Sequence, residues 1–392
     1  MFKIVPIKGG ISAVDGFYTS GVKAGFKKDD YDVGYIYSDT LCDVVYTFTT
    51  NKFQAAPLKH TLRNNIKQTN FLLLNSKNAN ALTGEEGIKD VEELLSFCKD
   101  NFKDNITNPI MSSTGVIGVR LDKDKLKEAI KKFNLERDNE KISRAIMTTD
   151  SYPKTIAFEV ILDNGESFRI GAIAKGAGMI NPAMATMLCF VVTDANITDD
   201  MKEILKEVVD TTFNAISVDG DTSTNDSCFL LTNKKAGYDK DAFKEALKLT
   251  LQKLAFDIVK DGEGANKLVA FDIKGAKTKE EAAKIGKALS NSLLVKTAIF
   301  GEDPNWGRIA STIGASGCEC DETKLTISFE DVLVYDKGNI YFDSDTEAKA
   351  AKIMQRDEFK IICDLGIGEG EFVTYGCDLS YEYVKINADY RT

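Results

Sequence analysis

The chain has 392 residues, 43% of them hydrophobic and 28% charged, which is enough apolar material for a large core in a soluble protein of two or three domains. Its formal net charge of −10 argues against a nucleic-acid surface or an anionic membrane as partner. The single histidine, His60, rules out a zinc site built from several histidines and leaves a Ser-His-Asp enzyme only one residue to rely on.

The opening "MFKIVPIKGGISAVDG" lacks a long apolar stretch, so no export signal is expected and the expected location is cytoplasmic. "VGYIYS" (Val33–Ser38) and "VVYTFTT" (Val44–Thr50) have the β-branched and aromatic content of strands. His60, in "APLKHTLRNN", reads as a surface-loop or helix-start residue. "VEELLSFCKDN" (Val91–Asn101) and "DKLKEAIKKFN" (Asp124–Asn134) space their apolar residues as helices do. "KTIAFEVILDNGESFRIGAIAKGAG" (Lys154–Gly178) is a hairpin, two alternating runs around Asn164-Gly165, a dipeptide suited to the positive φ angles of a tight turn. "MLCFVVTDA" (Met187–Ala195) follows as a buried strand. "TDDMKEILKEVVDTTFNAI" (Thr198–Ile216) puts Met201, Ile204, Leu205, Val208, Val209, Phe213 and Ile216 on one helical face.

A polar loop, "SVDGDTSTNDS" (Ser217–Ser227), then leads to the strand "CFLLTN" (Cys228–Asn233). Two amphipathic helices come next, Asp241–Asp261 and Thr278–Ala298. From Lys324 the texture is of strands ("KLTISFEDVLVY", "NIYFD", "FKIICDLG", "EFVTYGCDLSYEYVKIN"), broken by one helix, Asp345–Arg356. The alternation gives an α/β or α+β protein with a domain change near residues 275–300.

Three motifs are discounted. "LGIGEGEF" (Leu365–Phe372) does not have dinucleotide-binding spacing and precedes a strand, so its glycines read as a hairpin turn. "DGDTSTND" (Asp219–Asp226) alternates oxygens as a calcium loop does, but Thr224 stands where the turn glycine belongs and no glutamate closes the loop. The 8 cysteines read as reduced core thiols, and Cys318-Glu-Cys320 lacks zinc-ligand spacing. No metal is expected.

"AKGAGMINPAMATMLCFVVTDA" (Ala174–Ala195) is unusual. A two-glycine loop meets a proline and then an apolar run, with Thr186 at the junction. From these features alone Thr186 reads most simply as the start of a buried strand. A second reading uses the missing base. If the backbone is cut before Thr186, the new α-amine, with an ordinary pKa near 8, sits on the residue that carries the hydroxyl and can take its proton. A small preceding residue and a constrained turn favour such self-cleavage, and Ala185, Pro182 and the Gly176/Gly178 loop supply both.

"KGAGMINPAMATML" closely resembles the self-cleavage motif of the ornithine acetyltransferase (glutamate N-acetyltransferase) family of arginine biosynthesis. "GFYTSGVKAG", "NKFQAAP", "SSTGVIG", "MTTDSYPK", "GDTSTNDS", "KDGEGANK", "GEDPNWGRIAS" and the ending "INADYRT" resemble further motifs of that family, in order along the chain. The resemblance implies cleavage between Ala185 and Thr186 into α and β chains that stay together, assembled as α2β2. It implies that Thr186 takes the acetyl group from N-acetylornithine and passes it to glutamate by a ping-pong route. Thr114 and the Gly115 N–H would form the oxyanion hole. Thr149, Lys175, Thr186, Glu263, Asn387 and Thr392 would bind substrate, with Lys175 meeting a carboxylate. Trp306 and Arg308 are given structural roles.

The implied fold is a layered αββα-type core with two central sheets, residues 1–280, and a smaller C-terminal α+β domain, residues 281–392, whose tail reaches the site. No cofactor is implied. Some members of the family also make N-acetylglutamate from acetyl-CoA; no residue here decides the matter, and the bifunctional expectation is the one taken. A self-cleaved amidohydrolase or aminopeptidase, in which water resolves the acyl-enzyme, is the alternative.

Overall fold

In the computed structural model residues 1–181 and 187–388 are described, and they fall into two units. The first takes Met1–Gly176, the described part of Pro182–Asn214, and Thr222–Ala255. The second takes Ala177–Asn181, Ala215–Asp221 and the described part of Phe256–Thr392. Ala185, Thr186 and Thr392 lie outside the described residues.

The sheet of the first unit has nine described strands: β1 (Phe2–Ile7), β2 (Phe17–Val22), β3 (Val33–Phe48), β4 (Gln68–Asn75), β5 (Ile110–Ser113), β6 (Lys154–Leu162), β7 (Ser167–Lys175), β8 (Leu188–Ala195) and β9 (Ser227–Ala236). Their order is β1-β6-β7-β8-β9-β3-β4-β5, with β2 also paired to β3. The helices of this unit are α1 (Ala56–Arg63), α2 (Gly84–Asn101), α3 (Lys123–Ile130), α4 (Asn139–Ala145), α5 (Met201–Thr211) and the first part of α6 (Lys240–Lys260).

The two strand-like runs near residues 33–50 are one strand, β3, 16 residues long. Its register against β4 shifts between Tyr37 and Cys42, so the first half pairs with β2 and β4 and the second half with β9 and the start of β4. This break lets one continuous sheet supply two packed layers. Ile36, Leu72, Leu74 and Ile110 share a buried cluster with Ile173, Phe190, Val192, Phe229 and Leu231 of the β7–β9 layer. The alternate face of β3–β5 carries Tyr35, Phe71 and Met111, and it is covered by Val91, Leu94 and Leu95 of α2 and Leu126 of α3. On the other layer the Phe168 ring lies 5.9 Å from Phe243 of α6. The result is the layered αββα arrangement. Because β8 has partners on both faces it is buried at every position, which is why it reads as an unbroken apolar run.

The second unit has β10 (Leu268–Ala276), β11 (Thr326–Phe329), β12 (Val332–Asp336), β13 (Asn339–Ile340), β14 (Glu358–Asp364) and β15 (Gly370–Cys377), ordered β13-β12-β11-β14-β10-β15. Its helices are the end of α6, α7 (Lys279–Asn291), α8 (Leu293–Phe300), α9 (Trp306–Ala315), α10 (Ser344–Met354) and α11 (Tyr381–Ala388). Ala282, Ile285 and Leu289 of α7 pack on Phe271 and Ile273 of β10. The sequence put the domain change after residue 280. In the structure Phe256 onward belongs to the second unit, because β10 is the strand to which both β14 and β15 pair.

Several local expectations change. The hairpin at Asn164-Gly165 is wider than a two-residue turn: Gly165 has φ +84° and donates to Leu162 O (3.0 Å), while Leu162 N–H reaches Glu166 O (2.9 Å). The helix expected to Ile216 ends at Thr211; Phe213 and Ile216 are still fully buried, in a 3-10 turn and the segment after it. The helix expected over 278–298 breaks at Ser292, which ends α7 and caps α8 by accepting from Val295 N–H. "YEYVKIN" is helical, as α11. His60 is a buried residue within α1, not a surface one. Six cysteines are buried, Cys318 is half-buried and Cys320 is exposed, and all are free.

"LGIGEGEF" is not a hairpin turn. β14 and β15 flank β10 on opposite sides, so this loop carries the chain over the end of β10. Ile367 N–H and Gly368 N–H both donate to Gly275 O, and a Cβ on Gly370 would overlap the Thr278 backbone. Glycine is required there by close approach. Gly370→Ala is expected to destabilise the protein by about 1–3 kcal/mol, read as a lower denaturant midpoint at unchanged slope.

Candidate active site

β5 ends at Ser113, directly before Thr114 and Gly115, and β7 ends at Lys175, directly before Gly176. These strand ends converge. Lys175, buried at 9% exposure, donates from Nζ to Thr148 Oγ1 (3.0 Å) and to Thr114 Oγ1 (3.3 Å). Asp150 supports the group from below. Its carboxylate is fully buried and accepts from Lys154 Nζ (2.8 Å), Gly176 N–H (2.7 Å) and Thr148 N–H (3.0 Å). Burial pushes the Asp150 carboxyl up, but the Lys154 and Lys175 charges and these hydrogen bonds outweigh it and hold the carboxyl at about 2.

Gly115 is a glycine of necessity. Its φ is +133°, and a Cβ would overlap the backbone of Lys77 and Asn78. Among the described residues its N–H has no backbone acceptor, whereas the Thr114 N–H is used by Asn75 O (3.1 Å). The Thr114 hydroxyl and the Gly115 N–H are therefore adjacent donors on one rigid turn, an arrangement suited to a developing oxyanion.

The sequence motifs around this turn hold one another. Asn225 of "GDTSTNDS" donates from Nδ2 to Ala79 O (2.6 Å) and Ser113 O (2.8 Å). Asn51 of "NKFQAAP" donates to Thr222 O (2.9 Å), and Thr49 Oγ1 to Ser223 O (2.8 Å). The Thr222 and Ser223 carbonyls of the loop that resembled a calcium site thus have structural partners. Asp226, 3% exposed, keeps one carboxyl oxygen without a partner among the described residues, and burial pushes it well above the usual carboxylate range against the pull of Ser223 and Lys175.

In the second unit, Glu263 is 7% exposed, donates its backbone N–H to Ala177 O (3.0 Å) and accepts from Asn387 Nδ2 (2.6 Å). Gly178 allows this, since a Cβ there would overlap the Glu263 carboxylate. Asp219 accepts from Met179 N–H (2.6 Å) and Ile180 N–H (2.8 Å), fixing the same loop. The α11 helix is tied to the Glu263 turn by Ser380 Oγ donating to Gly264 O (2.6 Å), and by Asp378 accepting from Asn266 and Lys267 N–H. Trp306 stacks on Tyr335 at 5.1 Å, and Arg308 donates to Leu294 O (2.8 Å).

The structure thus brings Thr114 and Lys175 together in the first unit, with Gly115 beside Thr114, and Glu263 and Asn387 together in the second. Thr149 is half-buried between Thr148 and Asp150. Sequence reasoning missed Thr148, Asp150 and Lys154. The i,i+4 pair Asp150–Lys154 lies inside the quoted "MTTDSYPK", but spacing alone does not show that both charges are buried.

A family model described as the ArgJ family matches residues 18–392. The chain belongs to the ArgJ family. It is 56% identical over 397 residues to the arginine biosynthesis bifunctional protein ArgJ of Wolinella succinogenes, covering 100% of both chains. It is 45% identical over 405 residues to the glutamate N-acetyltransferase of Methanocaldococcus jannaschii, covering 98% of this chain and 99% of that one. The crystal structure of the arginine biosynthesis bifunctional protein ArgJ of Bacillus halodurans is 36% identical, covers 51% of this chain and 97% of that one, and has a TM-score of 0.46. Among the described residues of this ArgJ-family chain no helix is long and apolar enough to cross a membrane.

The depressed Asp150 has a stability consequence. Its stabilisation is present above the unfolded carboxyl value near 4 and is lost as pH falls through about 2, an increment of about 2 kcal/mol. Asp150→Asn is expected to be less stable than the parent at pH 7 because Lys154 loses its buried partner. Urea unfolding at stepped pH is expected to show the gap closing towards pH 2.

Proposed function

We infer that the chain is a self-cleaving glutamate N-acetyltransferase that moves the acetyl group from N-acetylornithine to glutamate. The observation that carries this is the family match over residues 18–392, together with full-length identity to proteins named for arginine biosynthesis and glutamate N-acetylation.

The chain cuts itself between Ala185 and Thr186, and the two pieces remain together and pair as α2β2 in the cytoplasm. The α-amine of Thr186 takes the proton from its own hydroxyl, whose oxygen attacks the acetyl carbonyl. Thr114 Oγ1–H and Gly115 N–H stabilise the oxyanion. The tetrahedral intermediate collapses, the proton passes to the departing nitrogen, and ornithine leaves an acetyl ester on Thr186. Glutamate's amine attacks that ester and the same groups act in reverse. Lys175 receives the α-carboxylate common to both substrates, Thr149 flanks it, and Glu263, Asn387 and Thr392 read the remainder. Amide-to-amide exchange is close to balanced, so no cofactor is needed. Acetyl-CoA serves as a second acetyl donor, its thioester replacing the amide in the first step.

Three facts support this assignment of roles: the Lys175–Thr114 contact, the Gly115 N–H that has no backbone acceptor among the described residues, and the Asn387–Glu263 contact. The test is a product balance. Incubation with N-acetylornithine and glutamate is expected to give ornithine and N-acetylglutamate in equal amounts, and none with Thr186→Ala. Free acetate in excess of N-acetylglutamate would indicate an amidohydrolase. Thr114→Ala is expected to lower kcat by about 100- to 1,000-fold through loss of the hydroxyl donor to the oxyanion.

A further inference from the structure

The segment that leads into the proposed cleavage point is clasped along its length, and one of the clasps is a lysine with no role in the scheme above. Gly176 and Met187 belong to the first unit, whereas Ala177–Asn181 belongs to the second, together with the residues that hold it. Ala177 O accepts from Glu263 N–H (3.0 Å). Met179 N–H (2.6 Å) and Ile180 N–H (2.8 Å) donate to the Asp219 carboxylate, and Ile180 O accepts from Ser217 Oγ (3.0 Å) and Val218 N–H (2.7 Å). Asn181 comes last. Its Nδ2 donates to Gly220 O (2.9 Å), and its Oδ1 accepts from Nζ of Lys287 (3.2 Å), which also donates to Ile216 O (2.5 Å). Lys287, on α7, thus ties the Asn181 side chain to the 215–221 segment.

Two features set these contacts apart from ordinary loop anchoring. Met179 has φ +57°, a left-handed conformation that a residue with a side chain keeps only where its surroundings impose it, and the Asp219 bonds on either side of that residue's carbonyl do so. Lys287 is half-buried on a helix whose Ile285 and Leu289 lie in the core. A lysine so placed ordinarily leaves its ammonium in water, and holding it against two neutral oxygens gives up side-chain freedom.

Self-cleavage makes a strict demand on geometry. Thr186 Oγ must attack the carbonyl carbon of Ala185: the C–O bond forms, the C–N bond breaks, and the hydroxyl proton passes to the nitrogen that becomes the α-amine. Water then hydrolyses the ester, leaving a carboxylate on Ala185 and restoring the hydroxyl. Such an attack succeeds only where the preceding chain cannot relax away from it. Asn181 lies four residues before Ala185, at most about 14 Å of chain, so whatever fixes Asn181 limits where that carbonyl can go.

We propose that Lys287 is a positioning residue for self-cleavage, holding Asn181 so that the chain leading to the Ala185–Thr186 bond is fixed. Lys287 acts through Asn181 and is not needed for acetyl transfer once the bond is cut. The proposal rests on the reading that the chain cuts itself there.

The experiment follows the loss of the uncut full chain on denaturing gels after cell-free synthesis with a labelled amino acid, in the parent, Lys287→Met, Asn181→Ala and the double variant. Lys287→Met is expected to cut about tenfold more slowly, the effect of one lost hydrogen bond, while acetyl transfer per cut chain stays at the parent's value. A merely structural lysine would lower both together, and that result overturns the proposal. Asn181→Ala is expected to slow cutting to a similar extent and the double variant no further; slowing that multiplies in the double variant overturns it. If Lys287→Met does not fold, Lys287→Gln takes its place with the same two readings. A lysine variant that cuts at the parent's rate overturns the proposal and leaves the self-cleavage reading standing, whereas a parent that stays uncut ends both.

Discussion

A fully buried ion pair, Asp150 with Lys154, organises the candidate site residues of the first unit. Two charges removed from water cost several kcal/mol each, so such a pair persists only where further hydrogen bonds complete it. Here the completing bonds are the ones that matter for function. Asp150 accepts from Gly176 N–H and so fixes where β7 stops, and it accepts from Thr148 N–H, whose hydroxyl in turn receives Lys175. The end of β7, the Thr148 turn and the Lys175 ammonium are therefore set by one carboxylate.

The remaining motifs are held to that point by backbone contacts. Asn225 joins β9's entry to Ser113 and Ala79, Thr49 and Asn51 join the β3 exit to residues 222 and 223, and Gly115 lies against Lys77 and Asn78 too closely for any side chain. In the second unit the same economy recurs. Gly178 lets the Glu263 carboxylate rest on the loop that precedes the proposed cleavage point, and Asp219 ties that loop's N–H groups. Residues far apart in sequence are short and polar, or glycine, for a shared reason: each side chain reaches a neighbouring backbone.

Much of this was legible in the sequence, and what escaped it did so for identifiable reasons. β8 and the α5 face were plain because periodicity reports burial directly. The β3 strand looked like two because a register shift leaves no mark in composition. "LGIGEGEF" looked like a hairpin because glycines show that the chain turns, not which strand it pairs with afterwards. α11 looked like strand because "SYEYV" is rich in residues that favour strands, and the ties from Ser380 and Asp378 to the Glu263 turn are tertiary. The motifs named Thr114, Gly115, Thr149, Lys175, Glu263 and Asn387 but said nothing of Asp150, whose importance lies in burial. Thr186, the centre of the sequence argument, stands among the residues outside the description.

The account turns on a nucleophile that the chain makes for itself. Intact-mass analysis of the purified protein, before and after incubation with N-acetylornithine and no acceptor, tests it most directly. The account predicts two polypeptides, one beginning Thr-Met-Leu-Cys at Thr186, and the gain of one acetyl group on that piece alone, lost again when glutamate is added. A single uncut chain, or two pieces of which neither gains an acetyl group, would contradict it.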